Sequence, residues 1–383
     1  MKLIYLSTAV FPSPLANRLQ TMKMGQAFSK ICDFKLFVGE KKTSDEEIFD
    51  YYSISNRFKI IPLGIPKIKP RVIFSLPRYI KIIKKEKPDF IYIREIRLAF
   101  LLSLFFRNII FEIHDFLGCG KLLCYFNKFF LKRLMLIVAT NHWKGSEIKK
   151  IFKINENKIV VAPNGVDVNR FHIEIDKKKT REQFKLPLNK FIVGYVGMLE
   201  TMGREKGIDI LIKAIRLLKN EFSNVSLCLV GGPKERIMEY TDLVKKIGLT
   251  NNEDVIFVNR VNHQAVPMYL KIFDILVLPY PKNRHYSYYM SPLKLFEYMA
   301  AKKPIVASSL PSIKEVLNSE NSFLVDPDDP NSLADGIKTI LKNPELSGEI
   351  ASRAFYDVQN YTWENRARNI LNFIKLRLDR EKN

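Results

Sequence analysis

The sequence predicts an α/β protein of two domains, each containing a parallel β-sheet flanked by helices. Short apolar runs alternate with helix-length amphipathic segments along the whole chain, which is the pattern of repeated βαβ units. With 383 residues, the chain is long enough for two domains that each bury a core. A charged stretch at residues 176–185, followed by Pro187, is the predicted linker between them.

The predicted strands form two sets. The first set belongs to an N-terminal domain, residues 1–180, and comprises residues 2–7, 34–38, 90–93, 109–113, 136–139 and 159–161. The second set belongs to a C-terminal domain, residues 187–362, and comprises residues 191–196, 226–230, 255–258, 275–278, 305–307 and 323–325. A final helix is predicted from Trp363 onward. Parallel strands bring the loops that follow them to one edge of each sheet, so a binding cleft is expected where these loops converge.

The composition is that of a globular protein without a membrane span. Hydrophobic residues make up 47% of the chain, yet no apolar run approaches the roughly 20 residues that cross a bilayer. The apolar start at residues 1–6 is soon followed by Pro12 and Pro14, so it is predicted to be a buried strand rather than a signal peptide. Four cysteines, without metal-binding spacing, fit a reducing cytoplasm. They are Cys32, Cys119, Cys124 and Cys228.

The positive charge is concentrated in the N-terminal half. Of a net charge of +22, about +18 lies in the residues through Lys185, where about 35 Lys and Arg face about 17 Asp and Glu. An anionic partner is therefore expected: a membrane surface, a polyanionic glycan or a nucleic acid. Residues 81–87 and 121–133 are predicted to form basic helices, edged by apolar side chains, that rest on lipid headgroups. The alternative is that a lysine-rich surface is a compositional habit of the source organism.

Residues 291–301 combine a helix start with a cation and a carboxylate. Ser291 is a good N-cap and Pro292 fits the first helical position, so a helix is predicted to begin here. The backbone N–H groups at such an end attract phosphate. Lys294 adds a charge there, and Glu297 lies one turn further on, where it can accept hydrogen bonds from sugar hydroxyls. The alternative is an ordinary capped amphipathic helix with a surface ion pair.

A second motif is a strand followed by a basic, glycine-containing loop and a helix. The strand ends at Gly197, the loop contains Arg204 and Lys206, and a helix with one apolar face follows from Ile208. This order brings backbone amides and cationic side chains to a diphosphate. The alternative is a solvated basic loop.

Taken together, these segments resemble the retaining glycosyltransferases of glycosyltransferase family 4, which have the GT-B fold. Further segments are similar to that family at residues 161–167 (VAPNGVD), 273–280 (FDILVLPY), 304–308 (PIVAS) and 361–363 (YTW). The resemblance spans nearly the whole chain and is more specific in the C-terminal half. It implies two Rossmann-like βαβ domains facing a central cleft, with the C-terminal helix, residues 363–383, returning to the N-terminal domain.

The resemblance also implies roles for individual residues. Lys206 and Arg204 are expected to contact the phosphates of the nucleotide-sugar donor, with Lys294 close to the diphosphate. Glu297 is expected on the donor ribose. The other implied donor-binding residues are Gly197, Met290, Ser291, Pro292 and Leu293.

Two positions depart from the family pattern. Met198 stands where an arginine usually follows the strand glycine, so Arg204 is predicted to substitute from further along the loop. Tyr289 stands where many members carry a second glutamate, eight residues before Glu297. Residues 282–289, which include His285, are nevertheless expected to face the sugar and to tune its identity.

Three further groups of residues follow predicted strands. Ala16, Asn17 and Arg18 follow the first strand and are implied to lie near the donor phosphates and the acceptor; the alternative is that Asn17 merely caps a helix.

His114, which precedes Asp115 at the end of the fourth strand, is implied to lie near the transferred sugar, although a His at such a position is often only structural. The backbone of Arg260 and Val261 is a predicted contact for the nucleotide base.

The predicted chemistry depends on charge stabilisation. Lys206, Lys294, Arg204 and a helix N-terminus would stabilise the leaving nucleoside diphosphate, and no paired carboxylates lie beside them in the sequence. We therefore expect no metal and no other cofactor, since the nucleotide-sugar is a substrate. Retention is implied by the resemblance, and no general base is identified.

The predicted function is transfer of a sugar from a UDP- or GDP-sugar to a glycan or lipid-linked acceptor, in cell-surface polysaccharide or glycolipid biosynthesis. The expected location is the cytoplasm, peripheral to the inner face of the cell membrane. The alternatives are a nucleotide-sugar epimerase of related fold and a non-catalytic nucleotide-sugar-binding module. A nucleic-acid binder would explain the charge but not Glu297 and the two phosphate-binding motifs, so no nucleic acid is expected as a partner.

Overall fold

The computed structural model describes residues 1–64, 71–114, 121–201 and 203–382. Asp115 and Cys119 lie outside these ranges. The chain divides into two compact units: the first comprises Met1–Asn164 with Trp363–Asn383, and the second Gly165–Thr362. Cys32, Cys124 and Cys228 are free thiols.

The first unit contains a seven-stranded parallel sheet. The strands of this unit are β1 (Lys2–Leu6), β2 (Val10–Phe11), β3 (Asp33–Val38), β4 (Glu40–Lys41), β5 (Lys59–Pro62), β6 (Phe90–Ile93), β7 (Ile109–Ile113), β8 (Leu136–Ala139) and β9 (Ile159–Val161). The sheet order is β5-β3-β1-β6-β7-β8-β9, and the short β2 and β4 pair separately. The helices are α1 (Ala16–Ser29), α2 (Asp45–Tyr51), α3 (Arg71–Glu86), α4 (Ile96–Ser103), α5 (Lys121–Arg133) and α6 (His142–Phe152).

Both faces of this sheet are buried. Side chains alternate between the two faces along each strand, and helices cover each face. Ile4 and Leu6 of β1 share one core cluster with buried residues of α3, α4, α5 and α6. Tyr5 lies on the opposite face, where its ring centre is 4.9 Å from that of Tyr92. The Tyr92 ring in turn contacts Phe28 of α1 at 5.3 Å. Parallel strands buried on both sides require nearly continuous apolar runs, which explains why they are recognisable in the sequence.

The second unit contains a six-stranded parallel sheet. Its strands are β10 (Phe191–Val196), β11 (Glu200–Thr201), β12 (Arg204–Glu205), β13 (Val225–Val230), β14 (Val255–Val258), β15 (Ile275–Leu278), β16 (Ile305–Ser308) and β17 (Phe323–Val325). The sheet order is β14-β13-β10-β15-β16-β17, and β11 and β12 form an antiparallel hairpin. The helices are α7 (Lys177–Gln183), α8 (Ile208–Leu218), α9 (Lys234–Lys246), α10 (Val266–Ile272), α11 (Leu293–Ala300), α12 (Pro311–Lys314), α13 (Pro330–Lys342) and α14 (Pro344–Asp357).

Every predicted strand is present within one residue of its predicted limits. The structure adds strands that the sequence pattern did not predict. β2, β4, β11 and β12 have only two residues each, too few for a periodic signal. β5 is an edge strand that begins with Lys59 and ends with Pro62, residue types that weaken a strand prediction but suit a sheet edge.

The predicted linker at residues 176–185 is wrong, because this stretch contains α7. Asp176 caps the helix by accepting hydrogen bonds from the backbone N–H groups of Lys178 and Lys179, at 3.0 and 3.1 Å. The stretch is rich in charged residues and has no long apolar face, so its sequence did not indicate the N-capped helix that it forms.

α7 is fixed to the second sheet through an ion pair between a buried arginine and a partly buried aspartate. The Arg181 guanidinium lies 2.6 Å from the Asp274 carboxylate. Asp274 also accepts the backbone N–H of Ile192, at the start of β10, at 2.7 Å. Residues 165–180 therefore belong to the second unit, and the boundary lies at Asn164 rather than at residue 180.

The C-terminal helix α15 (Trp363–Lys382) packs against α1 of the first unit. Its Arg366 lies 3.1 Å from Glu112 of β7, and both side chains are almost fully buried. Glu112 also accepts hydrogen bonds from Gln20 of α1 and Tyr92 of β6. Burial alone would raise the pKa of Glu112, but Arg366 and His114 hold it well below its ordinary range. This ionised carboxylate joins two strands and two helices.

Across the described ranges, no helix is both long enough and apolar enough to cross a bilayer.

Removing Arg366 tests the contribution of this ion pair. We expect Arg366→Met to lower the free energy of unfolding by about 3–5 kcal/mol, because it leaves the Glu112 carboxylate buried without its counter-charge. Urea unfolding followed by circular dichroism measures the change. The matched control is Arg368→Met on the exposed side of the same helix, which we expect to change stability by less than about 0.5 kcal/mol. Equal losses for the two variants would contradict this account.

Candidate functional site

The candidate site of the second unit lies at the carboxyl ends of its central strands. Gly197 follows β10 and donates its backbone N–H to Val230 at 2.8 Å, while Gly231 follows β13 and donates to Val258 at 2.9 Å. A Cβ atom on Gly231 would lie 1.9 Å from the carbonyl oxygen of Gly197. Only glycine permits this approach, which brings the two loop backbones together at the sheet edge.

Lys294, in the first turn of α11, reaches the end of β10. Its ammonium lies 3.7 Å from the centre of the Tyr195 ring. A Cβ atom on Gly197 would lie only 2.5 Å from Lys294 Nζ, so the glycine provides the space for the cation. Among the described residues, this buried Nζ has no hydrogen-bond partner. A bound anion would satisfy such a group.

Lys206 supplies a second buried cation. It follows β12 and immediately precedes Gly207, which has a φ of +74° and would clash with Pro279 O at 1.8 Å if it carried a Cβ. Burial lowers the pKa of the Lys206 ammonium to about 8. Burial and the neighbouring charge of Lys206 also lower the pKa of Lys294 well below its ordinary range, although Glu297 opposes this shift. An anion bound here would raise both pKa values and stabilise the charged form of each lysine.

Glu297 is held by residues from elsewhere in the second unit. It lies one turn after Lys294 on α11, and its Oε1 is 3.3 Å from His263 Nε2. Arg170 donates to the His263 carbonyl oxygen at 2.7 Å. Burial raises the pKa of Glu297, but His263, Arg170 and Lys294 together keep it below its ordinary value. Glu297 is therefore an oriented carboxylate that can accept hydrogen bonds from hydroxyl groups.

The sequence did not identify Arg170 and His263 as site residues. Arg170 lies in the 3₁₀ turn Val168–Phe171 and His263 in the turn His263–Ala265. Neither turn has a motif that indicates binding, and their contact with each other and with Glu297 depends on tertiary packing.

The predicted start of α11 is wrong by one position. The helix begins at Leu293, and Pro292 occupies the N-cap position with an extended backbone, φ −75° and ψ 131°. Ser291 is therefore not the N-cap, and Pro292, which is, has no side chain that could accept a hydrogen bond from the first turn. The extended ψ of Pro292 delays the helix by one residue. Met290, just before this turn, is buried in the core.

Arg204 is the first residue of β12 in the hairpin β11–β12, and Met198 lies two residues before β11. The Arg204 side chain is exposed, and its carbonyl oxygen accepts from Tyr286 Oη at 3.3 Å. The carbonyl oxygen of Met198 accepts from Tyr195 Oη at 2.9 Å. The role predicted for Arg204, replacing an arginine at the position of Met198, stays a prediction.

Tyr289 ends a π-helical turn, His285–Tyr289, and its ring is buried. Arg284 Nε donates to its hydroxyl at 3.2 Å. The same turn is anchored by Ser312, whose Oγ donates to the Tyr286 carbonyl oxygen at 2.6 Å. The tyrosine at this position is thus a packed residue, and the expectation that residues 282–289 face the sugar stays a prediction.

Arg260 and Val261 follow β14. The Arg260 side chain is exposed, and Val261 is half-buried against the core. They lie just before His263, which contacts Glu297. The predicted contact between their backbone and a base stays a prediction.

The predicted site residues of the first unit lie at the carboxyl edge of its own sheet. α1 begins at Ala16 with Leu15 at the N-cap, so the alternative that Asn17 caps this helix is wrong. The Asn17 carbonyl oxygen accepts from Arg94 at 3.3 Å. The Arg18 guanidinium lies 6.0 Å from the centre of the Phe11 ring.

His114 follows β7 and contacts Glu112 through Nε2. Lys144 Nζ donates to the His114 carbonyl oxygen at 2.8 Å. Burial, and then Arg94, lower the pKa of His114 to about 3, so the imidazole is neutral near pH 7. Because ionised Glu112 can only accept, Nε2 carries the proton and Nδ1 is left as an acceptor.

Within the described parts of the chain, no three His, Cys, Asp or Glu side chains are grouped so that they could hold a metal ion.

Family models match both units. A model described as "Glycosyl transferases group 1" matches residues 190–343, and one described as "Glycosyltransferase Family 4" matches residues 34–170. The chain is 28% identical over 239 residues to an uncharacterized glycosyltransferase of Methanocaldococcus jannaschii, covering 61% of this chain and 58% of that protein. It is 26% identical over 248 residues to the capsular polysaccharide biosynthesis glycosyltransferase CapM of Staphylococcus aureus, covering 62% of this chain and 61% of CapM. The matches thus span about three fifths of these curated relatives.

Solved structures share the fold over nearly the whole chain. A glycosyltransferase from Rickettsia africae superposes with a TM-score of 0.78 at 19% identity, covering 98% of this chain and 99% of that one. HepE of Anabaena, solved in complex with UDP, superposes with a TM-score of 0.75 at 19% identity, covering 98% of this chain and 100% of that one. These likenesses confirm the predicted GT-B fold. With two parallel-sheet units, each matched by its own family model, the chain belongs to the GT-B glycosyltransferases of glycosyltransferase family 4.

Proposed function

We propose that this chain transfers a sugar from a nucleotide-sugar donor to a glycan or lipid-linked acceptor, with retention of configuration and without a metal ion. The observation that carries the proposal is the buried Lys294 ammonium, which has no hydrogen-bond partner among the described residues. Lys206 adds a second buried cation, and Glu297 lies on α11 one turn after Lys294. Two cations and a carboxylate at a sheet edge match a ligand with a diphosphate and hydroxyl groups.

The two lysines would act mainly on the leaving group. As the bond between sugar and phosphate breaks, negative charge grows on the nucleoside diphosphate. Lys294 and Lys206 are largely shielded from solvent, so that charge interacts strongly with theirs, and the bound anion would raise the lowered pKa of each ammonium. The first turn of α11, which begins after Pro292, adds backbone N–H groups. Arg204 is proposed as a more exposed contact to the same phosphates.

Glu297 would fix the donor's orientation. His263 and Arg170 hold its carboxylate ionised, so it can accept hydrogen bonds from the donor ribose. The backbone of Arg260 and Val261 is proposed to contact the base.

In the first unit, neutral His114 presents Nδ1 as an acceptor for a hydroxyl of the transferred sugar. Residues 16–18 are proposed to lie near the donor phosphates and the acceptor.

The relatives support the choice of substrates. HepE is solved with UDP and with UDP-glucose, which favours a UDP-sugar as the first donor to test. CapM acts in capsular polysaccharide biosynthesis, and other relatives at 22–24% identity are D-inositol 3-phosphate glycosyltransferases. These names favour an acceptor used in cell-surface polysaccharide or glycolipid synthesis, reached by a cytoplasmic protein peripheral to the membrane.

A donor panel tests the proposal. The full chain is mixed with UDP-, GDP- and ADP-sugars, and thermal stabilisation is measured first. Slow hydrolysis of the stabilising donor is then followed with chelator and with added Mg²⁺. Hydrolysis at equal rates supports metal-independent transfer, whereas conversion of the donor to another nucleotide-sugar indicates an epimerase. Stabilisation without any turnover, even with candidate acceptors, indicates a binding module, and no stabilisation by any nucleotide contradicts the proposal.

Replacing Lys294 separates its function from its structural contribution. We expect Lys294→Met to lower turnover at least about tenfold, because a charge-stabilising group is lost. The free energy of unfolding without ligand should rise by about 1–3 kcal/mol, because a buried polar group without a partner is removed. Donor hydrolysis and urea unfolding measure the two effects. Lys314→Met, at an exposed position, should change neither, and unchanged turnover in Lys294→Met would remove Lys294 from the site.

The lowered pKa of Lys206 predicts a pH-dependent affinity for UDP. Below about pH 8 the free ammonium is already charged, whereas above it the diphosphate must raise the pKa and recruit a proton. Affinity should therefore fall by up to about tenfold per pH unit above that value. Titration calorimetry at about pH 7 and about pH 9 measures the fall. Lys206→Arg keeps its charge and should show a shallower fall; a flat wild-type profile would contradict the assignment.

A further inference from the structure

The outer surface of α3, α4 and α5 in the first unit carries exposed apolar side chains beside basic ones. α3 packs on α4 and α4 on α5, so the three helices form one continuous layer. Its exposed large apolar residues, together with the exposed Lys and Arg of the same segments, are named here the basic-aromatic face. The apolar members are Ile73, Phe74, Leu104, Phe105, Tyr125, Phe126 and Phe129.

The aromatic rings of this face are turned toward solvent. The exposed fraction is 53% for Phe74, 59% for Phe105 and 70% for Tyr125. Single exposed apolar residues are common on soluble proteins, but a group of them on adjacent helices indicates a surface that binds another molecule or a membrane.

A groove runs through the face. It encloses about 570 Å³ and is lined by Leu76, Pro77, Ile80, Lys81, Lys84 and Phe105. Its walls are mainly apolar, and Lys81 and Lys84 of α3 are the charged residues among the described ones that line it. An apolar lining with two cations matches a ligand that has a hydrocarbon part and an anionic head.

The charge of the face is almost entirely positive. Residues 71–86, 96–107 and 121–133 contain eleven Lys and Arg and a single acidic residue, Glu86. Glu86 is already paired with Lys2 and Lys35, at 2.7 and 2.6 Å. No other carboxylate within these segments offsets their cations, so the surface would attract a polyanion.

The apolar residues stand on a fixed support. Arg133 at the end of α5 donates from Nε to the Ser103 carbonyl oxygen at 2.7 Å and from Nη2 to that of Leu104 at 3.1 Å. Its guanidinium also lies 5.4 Å from the centre of the Phe129 ring. Leu104 and Phe105 thus follow a turn that is pinned to α5, which presents them with little loss of entropy on binding.

We propose that the basic-aromatic face docks on a bilayer of anionic lipids, with its rings in the interfacial region and its lysines on the headgroups. The exposed aromatic rings could stack on the bases of a nucleic acid, but the aliphatic side chains and the apolar groove contribute nothing to such stacking, whereas rings, aliphatic side chains and groove all match lipid. This docking surface rests on the proposed function: it would hold the transferase at the membrane that contains a lipid-linked acceptor.

Vesicle flotation with the full chain tests the proposal. One set of vesicles contains phosphatidylcholine and phosphatidylglycerol in equal parts, and the other contains phosphatidylcholine alone. We expect binding to the first set, reduced by added salt, and at least about tenfold weaker binding to the second. Absence of binding to the anionic vesicles, or equal binding to both sets, would overturn the proposal.

Two variants separate the charged and apolar contributions. Lys81→Ala with Lys84→Ala should weaken binding by about 25-fold, since each lysine near the headgroups contributes about fivefold. The matched control is Lys245→Ala with Lys246→Ala on α9 of the second unit, two exposed lysines outside the face, which should leave binding unchanged. Equal losses in both pairs would indicate attraction by net charge alone and would overturn the docking surface.

Phe105→Ser removes a largely exposed ring and should weaken vesicle binding about tenfold without affecting folding. Tyr356→Ser in the second unit, where the ring is 70% exposed, is its control. A single-stranded oligonucleotide provides the competing ligand. Binding to it more tightly than to anionic vesicles, with the same loss in Phe105→Ser, would assign the face to nucleic acid instead.

Failure of this inference is separable from failure of the transferase. The Lys81, Lys84 and Phe105 variants leave the Lys294 site of the second unit intact, so UDP binding in solution should be unchanged. UDP binding without vesicle binding would reject only the docking surface, and vesicle binding without any nucleotide binding would reject only the transferase.

Discussion

The packing of α11 against the end of β10 is the contact on which the candidate site depends. The Tyr298 hydroxyl accepts the backbone N–H of Val196 at 2.9 Å, which fixes the helix at the point where the strand ends. With α11 held there, Lys294 reaches the space left by Gly197 and lies over the Tyr195 ring. The same placement turns Glu297 toward His263. Both charged side chains are therefore positioned by one helix–strand contact.

Two buried charges, Glu112 in the first unit and Lys294 in the second, are treated in opposite ways, and the difference separates structure from function. Glu112 is paired with Arg366 and accepts further hydrogen bonds, so its charge is satisfied within the fold. Lys294 is also buried, but its ammonium has no hydrogen-bond partner among the described residues. Burying such a cation without a ligand destabilises the fold. The Lys294 ammonium, rather than the paired Glu112 carboxylate, therefore indicates the binding site.

The sequence predicted those elements that a short stretch of residues is enough to indicate. Continuous apolar runs such as residues 191–196 and 275–278 became central strands, because a parallel sheet buried on both faces needs them. α7 was read as a linker because its exposed residues are polar, and the contact that fixes it, Arg181 with Asp274, joins residues distant in the chain. His263 and Arg170 were missed for the same reason.

The α/β architecture, the concentration of positive charge in the N-terminal half and the presence of Lys206, Lys294 and Glu297 at loop and helix positions could all be predicted from the sequence. These follow from periodicity, composition and short-range spacing. Three features needed the tertiary structure: Lys294 is buried without a hydrogen-bond partner among the described residues, Glu297 is held by His263, and aromatic rings share a surface with the lysines of α3. Burial and contact depend on which distant segments pack together, and no local pattern encodes that.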